Sequence, residues 1–461
     1  MKIVFYSASV LIFDGSLTTK SLPSCADGWK SLMKKYAEHT FAVVAQKPGD
    51  FLLDAEALEI QKIPVQTLFV DSGKSAEDIA AAVLSLKPDV AVAASAWARP
   101  FDWLPLLDAE IARILQKNGV RTVCNSAETA FSCFDKWQTN VRLRALGVDV
   151  ARAVFVNHAL FVCAGNRREI SRNIYRDAVL SQIRALHFPV VIKDTTGLSS
   201  YGMEVANDFE SAQRFLCGKR NSSDRIVEEY IQGEQFGLEI HGSAETGYRV
   251  LPPFRFSVNN YGITSPKQSV KIGPVQSEAY RWGELCELAE KIARAFDFRG
   301  ISQIDLVFSR GKWFVIEINP RLSGMSRTYA ASMGVSLPEF LYAAAFRPLS
   351  VPVQPALNIK FPLLSAENLS RIAAKPYVKS ISQTENRAAR QEREKGFCEA
   401  ILSASDFSAL KAALDDLASS FPELVETAFI ETAQTLLRDF FVIIHITAKC
   451  RKNGQNRFYP V

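Results

Sequence analysis

The chain has 461 residues, with 54 Lys+Arg against 49 Asp+Glu and a formal net charge of +5. That length corresponds to two to four domains at roughly 100–200 residues each. A content of 48% hydrophobic and 22% charged residues excludes a largely disordered, collagen-like or polytopic membrane chain. A surplus of +5 over this length is also too dilute to suggest nucleic-acid binding.

The eight cysteines, Cys25, Cys124, Cys133, Cys163, Cys217, Cys286, Cys398 and Cys450, form no C-x-x-C pair and no zinc-like spacing with histidine. They predict reduced, mostly buried thiols in a cytosol-like compartment. Five histidines argue against a His-based metal cage. Ile3 to Phe13 is apolar, and Leu22-Pro23-Ser24-Cys25 faintly resembles a lipoprotein cleavage box. Ser7 and Ser9 interrupt that run and Asp14 ends it, which favours a first β-strand over a signal peptide. No later apolar run approaches the roughly 20 residues that span a bilayer. The expectation is a cytoplasmic protein with no membrane and no nucleic-acid partner.

In chain order, Lys2–Ala8, Phe41–Ala45, Thr67–Val70, Asp89–Ala94 and Val120–Asn125 read as strands. Gly28–Glu38, Ser75–Leu86 and Asp108–Asn118 between them have helical spacing. Apolar strands alternating with helices predict an N-terminal α/β domain over 1–125 with a parallel sheet. The first strand lacks a following G-x-G-x-x-G, so a dinucleotide fold is not supported. Asp135–Gly147 reads as a helix with a basic face, followed by a polar, basic stretch at Asn166–Arg176. Phe188–Ile192, Arg225–Ile231 and Phe236–His241 read as strands, and Glu278–Phe296 as one amphipathic helix. Ile301–Phe308 and Lys312–Asn319 form a hairpin closed at Ser309–Gly311. Pro348, Pro352 and Pro355 mark a boundary, beyond which 351–461 reads as a small α+β domain with a helix at Asp406–Ser419. The expected fold class is therefore a multidomain mixture of α/β and α+β.

Two segments carry chemistry. Pro189-Val190-Val191-Ile192-Lys193 delivers a lysine at the end of an apolar strand, and Asp194-Thr195-Thr196-Gly197-Leu198-Ser199-Ser200-Tyr201-Gly202 follows. Such a loop, rich in N–H and O–H donors, can close over a polyphosphate while the lysine supplies charge. It is not a Walker A loop, since no G-K-[ST] ends it, and an ordinary polar hairpin would have a similar composition. The second segment is Asp305 with Glu317-Ile318-Asn319-Pro320-Arg321. Side chains alternate along a strand, so Glu317 and Asn319 share a face, and Asp305 lies near them if the hairpin pairs as read. Two carboxylates and an amide oxygen suit Mg²⁺ shared with nucleotide phosphates. Arg321 shares that face if the strand continues past Pro320, where its planar fork could hold a carboxylate or an acyl phosphate. A surface hairpin with incidental acids is the alternative, but a lone carboxylate among Val315, Ile316 and Ile318 is costly.

Taken in order, these segments resemble the ATP-grasp superfamily, especially its carboxylate–amine ligases, over about Ser126 to Leu341. Lys193–Gly202 is similar to the superfamily's lysine and G-x-S-S-x-G loop, with Asp194 where proline is frequent. Asp135-Lys136 is similar to the motif that opens the ATP-grasp region. Glu228-Glu229-Tyr230-Ile231-Gln232-Gly233-Glu234 resembles the segment between the two subdomains whose backbone reads adenine. The resemblance implies a pre-ATP-grasp domain over 1–125, an ATP-grasp domain over 126–350 with a lid at about 150–232, and a C-terminal domain over 351–461. It also implies ATP and Mg²⁺ as cofactors, with Mn²⁺ as a substitute.

By the same resemblance, Lys136 and Lys193 would neutralise phosphates, with Ser199, Ser200 and Gly202 covering them. The backbone of Glu229 and Ile231 and the side chain of Glu228 would meet adenine. Gln235 would meet the ribose where the family usually has glutamate. Asp305, Glu317 and Asn319 would hold the metal, with Arg321 and Lys193 catalytic. Lys267 and Lys271 lie in a polar stretch that faces phosphate, substrate or solvent, and Ser323, Gly324 and Arg327 could shape an acceptor pocket. The implied reaction joins a small-molecule carboxylate to an amine through an acyl phosphate, with release of ADP. Amino acids or a short peptide are the leading substrates, because Asn319-Pro320-Arg321-Leu322-Ser323-Gly324 resembles L-amino-acid ligases. A homodimer is compatible with this reading. A bicarbonate-using carboxylase of the biotin-carboxylase or purine-pathway type is the alternative within enzymes, although no Met-Lys-Met is present. A non-catalytic ATP-binding regulator is the alternative outside them.

Overall fold

Alternating apolar residues over Lys2–Ser7 send Ile3 and Phe5 to one face and Val4 and Tyr6 to the other. Both faces are covered: the first by Trp29 and Leu32, the second by Ile79, Val83, Ile111 and Leu115. This strand is the centre of a parallel sheet ordered Gln66–Val70, Thr40–Gln46, Lys2–Ser7, Val90–Ala93 and Arg121–Val123. The helices Cys25–Lys35, Ala76–Ser85 and Leu104–Lys117 connect it. Ser24 and Ser75 start the first two by accepting from Asp27 N–H and Asp78 N–H. The five expected strands and three expected helices are all present, with shifted ends. The computed structural model describes residues 1–8, 17–46, 52–56, 59–60, 62–71, 74–95, 104–163, 172–196, 203–257, 270–347, 349–386, 396–422 and 430–438.

A second, antiparallel sheet has the order Glu204–Ala206, Val190–Asp194, Arg225–Glu229 and Ala153–Val156. The helices Ile174–Arg184 and Phe209–Leu216 pack on it through Val179, Ile183, Phe209 and Phe215. Residues 230–233 lead from this sheet into a third, 12-stranded sheet. Its first strands are Lys312–Asn319, Gly300–Ser309, Glu234–Ser243, Phe254–Phe256 and Lys271–Gly273. Ala356–Phe361, Gly396–Ser403, Val378–Asn386 and Leu17–Leu22 continue it, and the short strands Ala55–Glu56 and Glu59–Ile60 end it. Gly247–Val250 pairs on Glu234–Ser243.

Three expectations need correction. The proline-rich run does not separate packing units, because Ala356–Phe361 pairs with Lys271–Gly273. One core also joins Leu143, Phe236 and Ile304 to Leu357, Leu402 and Leu414. Residues 17–22, expected within the N-terminal domain, pair instead with Val378–Asn386. The helix expected over Glu278–Phe296 is broken into a 3₁₀ turn, Glu278–Tyr280, and an α-helix, Trp282–Ala295, by Arg281 at φ 49°. The cause lies in the packing: the Tyr280 ring is buried among Phe236, Phe308 and Trp313, and its carbonyl accepts from Trp313 Nε1 at 2.8 Å.

All seven described cysteines are free, but only Cys25, Cys133 and Cys398 are buried, while Cys217 is exposed. Among the described residues, no helix is long and apolar enough to cross a membrane.

Candidate active site

The helix Lys136–Ala145 begins where Asp135 accepts from Gln138 N–H at 3.0 Å, a helix cap that makes the aspartate a structural partner of the lysine. Lys136 N–H donates to Thr195 C=O at 2.8 Å. The helix start is thereby fixed against the end of the Val190–Asp194 strand. The Lys136 side chain reaches the other way, to within 3.6 Å of Glu317 Oε1. A single residue thus joins the four-stranded sheet to the acidic hairpin.

Lys193 and Glu228 lie on adjacent strands, with Lys193 opposite Ile226 and Glu228 opposite Val191. Their side chains therefore share a face, and Lys193 Nζ donates to Glu228 Oε2 at 2.5 Å. Both are largely buried, so neither charge is left alone in a poorly solvated site. The Glu228 side chain, expected at adenine, is engaged by this lysine. Glu229 N–H, also expected at the base, donates to Arg152 C=O at 2.9 Å. Ile231 lies in the linker between the sheets. Ser199, Ser200, Gly202 and Lys267 lie outside the described residues.

The hairpin of Gly300–Ser309 and Lys312–Asn319 turns through Arg310 and Gly311, both at positive φ. Its register sets Asp305 directly opposite Glu317 and Gln303 opposite Asn319. A bulge follows Asp305, and bulges bend a strand and re-aim its side chains. Gln303 Nε2 donates to Asp305 Oδ1 at 2.7 Å. Burial, and secondarily the negative charge of Glu317, push the Asp305 carboxyl up to about 7. A cation beside Asp305 would favour its ionised form. With the Asn319 amide oxygen beside the two carboxylates, the donor set fits a hard divalent ion.

Arg321 is buried. It donates from Nη1 to Leu322 C=O at 2.8 Å and from Nη2 to Asn319 Oδ1 at 3.2 Å, so it orients the amide that completes the set. Gly237 pairs opposite Asp305, and a Cβ there would lie 2.4 Å from Phe256 Cζ and 3.2 Å from Asp305 Oδ1. A cavity of about 490 Å³ lies against Gly233, Gln235, Arg255 and Phe256, within the size range of small-molecule sites.

Sequence reasoning missed Glu239. It is fully buried in the Glu234–Ser243 strand. Its Oε1 accepts from Ser323 Oγ at 3.0 Å and Ser326 Oγ at 2.6 Å, and its Oε2 lies 3.0 Å from His241 Nε2. Ser323 is the N-cap of the helix Gly324–Ser332, so Glu239 anchors the chain just after Arg321. The signal was available, since a carboxylate between Leu238 and Ile240 invites the same burial argument that singled out Glu317.

Residues 133–325 match the model of the ATP-grasp domain. The carbamoyl phosphate synthase arginine-specific large chain of Bacillus subtilis (strain 168) is 23% identical over 282 residues, which cover 59% of this chain and 25% of that protein. The D-alanine--D-alanine ligase of Fusobacterium nucleatum subsp. nucleatum is 30% identical over 142 residues, 31% of this chain and 48% of that one. The chain therefore spans less than half the length of these two curated relatives. The crystal structure of L-amino acid ligase from Bacillus licheniformis superposes with a TM-score of 0.60 at 14% identity, covering 91% of this chain and 97% of that one.

Proposed function

We propose that this chain, whose residues 133–325 match the ATP-grasp domain, is an ADP-forming ligase joining a small carboxylate, of amino-acid or short-peptide type, to an amine. The observation that carries this reading is the pairing of Asp305 with Glu317, flanked by Asn319, Arg321 and Lys136. Phosphoryl transfer demands positioning and charge neutralisation more than covalent chemistry. Asp305, Glu317 and Asn319 would hold Mg²⁺, which when bound would supply positive charge to neutralise nucleotide phosphates.

In the first step a substrate carboxylate oxygen attacks the γ-phosphorus, the bond to the β-phosphate oxygen breaks, and ADP leaves. Lys136 and Lys193 act here as fixed positive charges against the phosphates, with Lys193 exchanging its bond to Glu228 for a phosphate oxygen. In the second step the amine attacks the acyl carbon, phosphate departs, and the nitrogen loses a proton. Arg321, held by Leu322 and Asn319, would stabilise the acyl phosphate and the oxyanion that follows. Gln235 borders the cavity and is the residue for a ribose hydroxyl; as a neutral amide it can both donate and accept.

The test is an ADP- and phosphate-release screen with paired amino acids, other amines and bicarbonate. ADP formation that requires an amino acid or peptide together with an amine is the expected result. Release that requires bicarbonate alone would replace this reading with a carboxylase, and nucleotide binding without turnover would replace it with a regulator.

A further inference from the structure

The face of the 12-stranded sheet that carries Asp305 continues as a polar strip far beyond the acidic hairpin. Directly opposed residues in paired strands share a face, so the register can be followed across the sheet. Lys271 opposes Phe256 on one side and Asn358 on the other. Two residues along from Asn358, Lys360 opposes Glu399, and Glu399 in turn opposes Ser382. Ser382 opposes Ser21 of the strand Leu17–Leu22. The helix Gly324–Ser332, which starts two residues after Leu322, lies over this strip. Thr328 on it accepts from Asn358 Nδ2 at 2.7 Å, and Arg327 Nη1 donates to Ser21 Oγ at 3.4 Å.

Three features of the strip are incomplete without a ligand. Asn358 is fully buried, and its Nδ2 is spent on Thr328 and on Glu399 Oε1 at 2.9 Å. Because a carboxylate can only accept, the Oδ1 must be the other end of the amide, and that oxygen has no hydrogen-bond partner among the described residues. An unpaired buried acceptor is expensive. Secondly, Lys360 Nζ stands 3.8 Å from Glu399 Oε1, an ion-pair separation and not a hydrogen bond. Burial, with the like charge of Lys271 added, pushes Lys360 down to about 8. Thirdly, cations crowd one side of the strip: Lys271 lies near enough to act on both Asp305 and Lys360, and Arg327 near enough to act on Glu399. The side chains of Lys360 and Glu399 keep 8% and 12% exposure, so both are largely enclosed.

One acceptor without a donor, Asn358 Oδ1, lies next to Glu399, a single carboxylate among three cations, Lys271, Lys360 and Arg327. The complementary ligand has an ammonium and an anionic group close together. We propose that this strip is the head-group site for an amino-acid substrate, with Glu399 and Asn358 Oδ1 accepting from the ammonium and Lys271 and Lys360 donating to the carboxylate. The proposal deepens the ligase reading and rests on it. The strand Leu17–Leu22 borders the strip on the side away from Asp305, and Lys271 is the residue common to the head group and the phosphate region.

Binding and turnover test it separately. Thermal shift of the full chain is read with each of the twenty protein amino acids singly and with L-lactate, whose hydroxyl replaces the ammonium. At least one amino acid should raise Tm, and lactate should not. Glu399→Gln should abolish that shift while the shift produced by Mg·ATP is retained, and in turnover it should raise KM for the amino acid at least tenfold with KM for ATP unchanged. Asn358→Leu removes the orphan acceptor within a similar volume. It also removes the donor to Thr328 and Glu399, so its ligand-free Tm should fall; the same KM should rise with KM for ATP unchanged, and a retained Mg·ATP shift guards against misfolding of either variant. The proposal is overturned if no amino acid shifts wild type, if lactate shifts it equally, or if both variants keep the wild-type KM. ADP release driven by bicarbonate or by other amines, with no amino-acid shift, would remove the head-group site and leave ATP-dependent activity standing.

Discussion

At the residue scale, Asp305 is a carboxylate whose burial weakens the fold at neutral pH. Its ordinary value is 3.8, and burial with Glu317 opposite raises it to about 7. The folded chain therefore holds this proton more tightly than the unfolded chain, and the associated stability is lost as pH rises from about 4 to 7. Asp305→Asn should relieve that loss. Its Tm advantage over wild type, measured without divalent ions, should grow across that interval, reach a few degrees and stay level above pH 7. The same variant should lose Mg²⁺-dependent turnover. Glu317→Ala should abolish Mg·ATP turnover and leave the circular dichroism of the fold intact; full ADP formation by this variant would remove the hairpin from the mechanism. Arg321→Ala should still bind ATP but form no ligated product, and wild-type product yield would show that the arginine only holds Asn319.

At the element scale, the strand Glu234–Ser243 organises its neighbours through two atypical positions. Gly237 leaves room for Asp305 and Phe256. Gly237→Ala forces either the aromatic ring or the carboxylate aside, and a fall in kcat with little change in Tm is the expected outcome. Glu239 tethers the helix Gly324–Ser332 by its cap and third residue. Removing a fully buried carboxylate that satisfies two hydroxyls should cost ~3 kcal/mol, so Glu239→Ala should shift the urea midpoint markedly. These elements were partly legible in sequence. Short apolar runs found the strands, and two of them closed at Ser309–Gly311 found the hairpin; alternation then put Glu317 and Asn319 on one face. Alternation says which residues share a face but not which strand lies beside them. The bond between Lys193 and Glu228, which occupies a side chain expected at adenine, arises only when Val190–Asp194 and Arg225–Glu229 pair.

At the scale of the whole molecule, one sheet and one core run from the acidic hairpin through the last strands. A chain ending at residue 350 would leave Lys271–Gly273 as an open edge and strip Leu357, Ile359, Leu402 and Leu414 from the core. Such a chain should aggregate and yield no folded monomer by size-exclusion chromatography, because unpaired edges and exposed apolar faces template association.

The length and dilute charge alone excluded whole classes of protein, and local pattern determined the parallel N-terminal sheet, the capped lysine helix and the acidic hairpin. These are short-range properties, set by residues within a turn or a hairpin of one another. The tertiary structure decided what depends on distant pairings. It placed Lys136 against Glu317, seated residues 17–22 beside the C-terminal strands, and brought Lys271, Asn358, Lys360 and Glu399 onto one face. Nothing local encodes those meetings, because a strand's propensity is indifferent to the identity of its partner until the shared core is closed.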